Sequence, residues 1–418
     1  MSRRTPLAGW LVSEAVCLTG TRVSMVAVPW LVLTSTGSAT WTGLAAFAEM
    51  TPYVVAKAAA GPVLDRVGAR TVSVLADATS VVVVAAVPLL HLAGRLPLPL
   101  LLVLVALAGL VRGPGDGAKQ AMVPALVEHA QVPMERATGL GGAVERLAST
   151  VGAAVGGGLV AVVGPGPALV VDAASFGVSA LVLATTTSGL RHERPTVPAD
   201  LAPEDTGYLR RLREGWDFLR RDRVLVAIVT MVAVTNLLDQ AYAAVLVPVW
   251  ARQSGGGAGA VGLLFATFAG AAVLGSVLAA SFAARLPRFA TYLLAFLVCG
   301  APRFVVLAVH SPLWAVLGVA VVGGFAAGLI NPILAAVIFE RIPAPLVGRV
   351  SSLNTALCWV GIPFGGLVGG VLVGAAGLAP ALLLVGGAYL LATLLPAVRP
   401  RFRQLGTAPA PRAGALAR

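Results

Sequence analysis

The chain has 418 residues, of which 58% are hydrophobic and only 11% charged, against about 25% charge in an ordinary soluble domain. That composition excludes a water-soluble globular protein and points to a bilayer. The net charge of +12 comes from basic residues lying between apolar runs, where lipid headgroups meet them; with no foldable basic domain present, nucleic acid is excluded as a partner.

A spanning helix needs about 20 mostly apolar residues, because backbone amides in hydrocarbon must be satisfied within the segment. Apolar runs bounded by charge, Gly and Pro predict six such helices at 7–34, 41–60, 71–90, 98–119, 138–163 and 167–188. Six more follow at 224–250, 259–284, 290–310, 313–338, 350–374 and 378–396. The first run continues past Pro29 without a small-residue cleavage site, so it reads as a helix that stays attached. One long polar segment interrupts the series, and its latter part, 209–225, is amphipathic. The expected organisation is an N-terminal six-helix bundle over 1–190, a cytoplasmic linker over 191–223, a C-terminal six-helix bundle over 224–397 and a disordered cytoplasmic tail over 398–418.

Arginines on alternate connections fix the expected topology. One side carries 22 and the other only Arg95 and Arg252, which places both termini and the linker in the cytoplasm of a cell (inner) membrane protein. The halves also match in register. Gly43-Leu44 and Arg66 align with Gly262-Leu263 and Arg285 at one offset; Gly152, Gly156 and Gly157 align with Gly365, Gly369 and Gly370 at another. A constant offset across a helix, a loop and the next helix implies a parallel repeat.

Cys17, Cys299 and Cys358 each fall inside an apolar run without metal-ligand spacing, and the four histidines are scattered. No catalytic constellation, Walker A sequence or cofactor motif is present, so an enzyme or an ATP-driven pump is not expected. Charges inside the spans say more, since each costs about 2.5–3.5 kcal/mol at a helix centre unless paired or facing water. Glu14, Arg22, Glu49, Lys57, Arg112, Glu145, Arg146, Asp239 and Arg303, with Asp77 and Asp172 nearer helix ends, together imply a polar pathway. In an antiparallel hairpin facing residues share one index sum, and 14 with 57 and 22 with 49 both give 71. That predicts pairs Glu14–Lys57 and Arg22–Glu49.

Gly61-Pro62-Val63-Leu64-Asp65-Arg66-Val67-Gly68-Ala69-Arg70 stands between the second and third helices. It resembles the major facilitator signature Gly-x-x-x-Asp-Arg-x-Gly-Arg-Arg and departs from it at Ala69. The resemblance implies a conformational latch formed by Gly61, Asp65, Arg66, Gly68 and Arg70, with Gly61 permitting close helix approach. Ala27-Val28-Pro29-Trp30, Val171-Asp172-Ala173-Ala174-Ser175-Phe176 and Glu214-Gly215-Trp216-Asp217-Phe218-Leu219 resemble the macrolide-efflux and enterobactin-exporter-like branch. The fifth helix has Gly152-Ala153-Ala154-Val155-Gly156-Gly157 where many drug/proton antiporters carry Gly-Pro-x-x-Gly-Gly. Near the intramembrane Arg112, Asp116 stands where that branch expects Gly.

The resemblance implies an all-α membrane protein of 12 transmembrane helices, two six-helix bundles related by pseudo-two-fold symmetry. It implies a monomeric, proton-coupled exporter of a small amphipathic molecule working by alternating access. In this fold cavity walls come from the first, fourth, seventh and tenth helices, so Glu14, Arg22, Arg112, Asn236, Asp239 and Asn331 are candidate pathway residues. Glu14, Glu49, Glu145 and Asp239 are candidates for carrying the coupling proton. Glycine rows at spacing four, Gly152 and Gly156 on one helix and Gly361, Gly365 and Gly369 on another, are expected at the moving interface between halves. An importer of the same fold would differ in the direction of transport, and a non-transporting receptor would need a soluble domain the chain has no room for.

Overall fold

The computed structural model describes residues 3–189, 208–282, 288–342 and 347–398, which are helical apart from short connections and contain no strand. The first half supplies α1 (Thr5–Thr36), α2 (Ala39–Ala58), α3 (Gly61–Val67), α4 (Ala69–Leu92), α5 (Leu98–Ala121), α6 (Val123–Ala130), α7 (Met134–Val163) and α8 (Pro165–Thr186). After α9 (Tyr208–Arg221), α10 (Arg223–Ala241) passes through a π-helical turn, Tyr242–Leu246, into α11 (Val247–Gln253). The remainder is α12 (Gly257–Phe282), α13 (Arg288–Cys299), α14 (Ala301–Ala308), α15 (Leu313–Arg341), α16 (Val347–Trp359), α17 (Ile362–Ala376) and α18 (Leu378–Val398). Ten helical segments among the described residues are long and apolar enough to cross a membrane. The more polar α2, with Glu49 and Lys57, and the apolar stretch Leu378–Leu394 of α18 complete the twelve expected. Residues 190–207, which take in the start of the expected linker at 191, and 399–418, all but the first residue of the expected tail, lie outside the described residues.

Local chemistry sets the boundaries. Gly37 ends α1 in the left-handed region at φ 67°, its N–H donating to Leu33 O, and Ser38 Oγ then caps α2 by accepting from Trp41 N at 3.4 Å. Pro248 has no N–H to return to the preceding turn, and the helix widens to the π form just before it. The break between α13 and α14 falls at Gly300, with Pro302 starting the next helix.

The chain forms two compact units. The first comprises the helices up to α8 together with Leu237–Ala269 and Ile362–Ala381; the second comprises α9, α10 as far as Asn236, Gly270–Gly361 and the chain from Leu382. In the second unit Asp222 caps α10 through Val224 N at 2.9 Å and holds Arg341 of α15 at 3.0 Å. Leu219, Leu225, Val229, Ile342, Val350 and Cys358 form an apolar cluster that seats α9 on α10 and α16.

In the first unit, segments of the second half are held to the first by backbone contact. A Cβ on Gly43 of α2 would sit 2.1 Å from Gly366 O of α17, and one on Gly157 of α7 would sit 2.4 Å from Gly262 Cα of α12. The Gly43 Cβ would also sit 3.2 Å from Gly370 Cα, and under the sequence repeat Gly43 corresponds to Gly262 and Gly157 to Gly370, so one contact is built twice. The spacing-four rows do not make it. Gly152 faces Arg22 and Thr19 of α1, and Gly365 faces Leu237 and Gln240, each within its own half. Spacing four defines a stripe, but one residue turns a helix by about 100°, and the half-to-half contact falls on the next residue round.

Gly43→Val should therefore force α2 from α17, an overpacking cost of about 1–3 kcal/mol, lowering the melting temperature of the purified protein and abolishing transport. Gly61→Ala, where an added Cβ meets nothing within 4 Å, should leave both unchanged.

Candidate functional site

A cavity of about 250 Å³ opens within the first unit, walled by α1, α2, α7, residues 240–244 and α12. Its surface is mainly apolar, with Met25, Met50 and Phe265 the largest apolar side chains. Five polar residues interrupt it: Arg22, Thr42, Glu49, Ser149 and Gln240. The Thr42 hydroxyl is already donated to Ser38 O at 3.0 Å. An apolar wall with few polar groups suits a small amphipathic ligand. No residue of α5 lines the cavity, in contrast to the expected role of the fourth spanning helix; α5 acts from behind.

Gly109 and Gly113 let that helix lie on α2, where added Cβ atoms would sit 2.1 Å from Glu49 O and 2.5 Å from Tyr53 O. Arg112, between them in sequence, thereby reaches Glu49 Oε1 from Nη1 at 3.4 Å. The same guanidinium lies 3.8 Å from Asp116 Oδ2 and 5.0 Å from the centre of the Tyr53 ring. Tyr53 donates its hydroxyl to Asp116 at 2.9 Å and accepts from Lys57 Nζ at 3.3 Å. Glu49 is thus held by Arg112, and the expected Arg22–Glu49 pair does not form; Lys57 turns to Tyr53. The index sum fixed relative depth but not azimuth. The main partners of α2 are α5 and α17, while α1 packs chiefly on α7 and α8.

Arg22 lines the cavity without a carboxylate. Its Nη1 meets the thioether of Met25 at 3.2 Å and its buried Nε has no hydrogen-bond partner. Of the other expected pathway residues, Glu14 is half-buried on α1 and Glu145 is exposed on α7, both outside the cavity wall. Asn236 donates from Nδ2 to Cys358 O at 2.9 Å, tying α10 to α16. Asp239 is half-buried at the end of α10, and its neighbour Gln240 takes the place on the wall. Asn331 belongs to α15, but its side chain lies outside the described residues.

The latch segment divides. Asp65 and Arg66 are exposed on α3, and Asp65 has no ion pair among the described residues. Gly68 takes φ 93° at the corner into α4, a conformation that favours glycine. Arg70 is anchored to the end of α8, donating to Ala184 O at 2.9 Å and Thr187 Oγ1 at 3.0 Å. Gly61 faces open space, so the close approach expected of it is absent.

Sequence reasoning missed Lys119. It stands at the end of the expected fourth span, where lysines ordinarily reach headgroups, yet it is buried and pairs with Asp77 of α4 at 3.0 Å. Ser179 of α8 donates to Asp77 and accepts from Lys119 Nζ at 3.2 Å. Its only proton is used, so Ser13 of α1 is the donor in their 2.6 Å contact. Arg112, Asp116 and Lys119 at i, i+4 and i+7 were the available signal, one face of alternating sign. Asp172, also buried, accepts from the Ser24 hydroxyl. Lys119→Met strands a buried carboxylate, a loss of about 3–5 kcal/mol. Membrane abundance should fall sharply, and Asp77→Leu in the same chain should restore most of it.

The chain as a whole is similar to known proteins. The chain is 33% identical over 424 residues to the "Multidrug efflux pump Tap" of Mycobacterium tuberculosis (strain ATCC 25618 / H37Rv), covering 98% of this chain and 96% of that one. It is 30% identical over 413 residues to the Tap pump of Mycolicibacterium fortuitum, covering 98% and 99%. Among solved structures, the nucleoside transporter NupG matches with a TM-score of 0.68 at 13% identity over 94% of this chain and 98% of that one. A bacterial homologue of the lysosomal transporter Spinster matches with a TM-score of 0.72 at 14% identity, over 98% and 99%. At these identities the structures speak for the fold alone. The family model described as Major Facilitator Superfamily matches residues 11–239 and 229–416, so the chain, all-α and multi-pass, belongs to the Major Facilitator Superfamily of membrane transporters.

Proposed function

We propose that this transporter exports small amphipathic molecules, drugs among them, in exchange for protons, by alternating access of the cavity to the two sides of the membrane. The observation that carries this reading is the Glu49–Arg112 pair at the wall of an otherwise apolar cavity. A carboxylate within reach of both a bound molecule and an arginine can carry a proton in one state and an ion pair in the other. Relatives that bear the name multidrug efflux pump over nearly their whole length support export. The protein acts as a monomer in the inner membrane, with both termini cytoplasmic on the bias of 22 arginines to 2.

Asp65 and Arg66 serve as the free half of a conformational latch whose other end, Arg70, is tied to α8. A charge exposed on a short helix contributes little to folding, but it can bias an equilibrium between states.

In a host lacking its own pumps, expression should lower susceptibility to some of a panel of amphipathic antibiotics, and a protonophore should abolish the energised efflux. Glu49→Gln should lose efflux against a gradient yet keep exchange of substrate across the membrane at equal concentration. Loss of both, with normal abundance, would remove Glu49 from coupling. Asp65→Asn should cut transport about tenfold, the effect of roughly 1.4 kcal/mol on a conformational equilibrium, with membrane abundance unchanged; wild-type rates in that variant would remove the latch.

A further inference from the structure

We infer that the cavity selects amphipathic molecules carrying an anionic group, and that Arg22 is the residue that receives it. This inference rests on the reading of the cavity as the transport site. Two formal charges line the wall, Arg22 and Glu49. Arg112 holds the Glu49 carboxylate from behind, so within the wall the negative charge is answered and the positive one is not. No carboxylate among the described residues lies within ion-pairing distance of Arg22. Glu145 of α7 acts on it electrostatically, but from outside the cavity wall and without forming an ion pair with it.

Packing holds the arginine at the wall. Gly152 of α7 lies against its stem, where an added Cβ would sit 2.7 Å from Arg22 Cβ and 3.1 Å from Cγ. The guanidinium Nε is buried without a partner, and Nη1 touches only a thioether, a weak acceptor. A buried donor left unsatisfied is costly, and a carboxylate or sulfonate would satisfy two of the fork's N–H groups at once. Met25, Met50 and Phe265 then offer soft apolar surface for the body of the molecule. A lipophilic cation would find no unpaired carboxylate on this wall and would meet Arg22 as a like charge.

The test uses two probes that differ only in charge, 1-pyrenebutyrate and its methyl ester, bound to purified full-length protein in neutral detergent and followed by energy transfer from tryptophan. Wild type should bind the acid at least about tenfold more tightly than the ester, the value of one charge-assisted hydrogen bond. Arg22→Gln should weaken the acid by about the same factor and leave the ester unchanged, while Arg22→Lys should keep a preference for the acid. A smaller ratio in wild type, or acid binding in Arg22→Gln equal to wild type, overturns the inference. If Arg22→Gln does not accumulate, the wild-type ratio and the Arg22→Lys variant decide. A protein that effluxes antibiotics but lacks the acid preference loses this inference and keeps the proposed function; acid preference without any transport does the reverse.

Discussion

A charge in hydrocarbon must be paired or given water, and the first half of this chain is arranged around that requirement. Helix α5 brings Arg112, Asp116 and Lys119 into the membrane on one face, and the glycines Gly109 and Gly113 press that face onto α2. Two of the charges then find their answer on α2 and the third on α4. Arg112 goes to Glu49, Asp116 takes the Tyr53 hydroxyl, and Lys119 goes to Asp77. Removing the glycines would separate helices that are joined by charge, so close packing and ion pairing are one device here.

The two ion pairs differ in what surrounds them. Lys119 and Asp77 are sealed, with Ser179 saturated between them and Ser13 behind. Nothing reaches that pair from the cavity, and its role is to hold α1, α4, α5 and α8 together. Glu49 instead stands at the cavity wall with its partner behind it. Exposure to a ligand on one side and to a fixed cation on the other is the geometry a coupling carboxylate needs, and burial alone does not provide it.

The fold was legible because its signals are coarse and redundant. A run of about twenty apolar residues has one stable form in a bilayer, and the arginine asymmetry and the repeat both required an even number of spans. The glycine contacts were legible as a type but not as positions: Gly152 and Gly365 marked the right helices, while Gly157 and Gly366 make the contact. The site was half legible. Arg22, Glu49 and Arg112 were identified as charges out of place, but their pairing was not, because depth follows from sequence and azimuth from which helices pack. Lys119 was hidden by standing where a span was expected to end. Gln240, Ala243 and Ala244 reach the wall while Asp239 does not, a difference of azimuth on one helix that the sequence does not fix.

The central claim is that movement of a molecule through the cavity is exchanged against protons. The most direct measurement is the internal pH of sealed proteoliposomes loaded with a pH-sensitive dye, after addition of an effluxed antibiotic outside an acidic lumen. The account requires the lumen to become more alkaline as the antibiotic accumulates. Accumulation with no change of lumenal pH, or with further acidification, would contradict it.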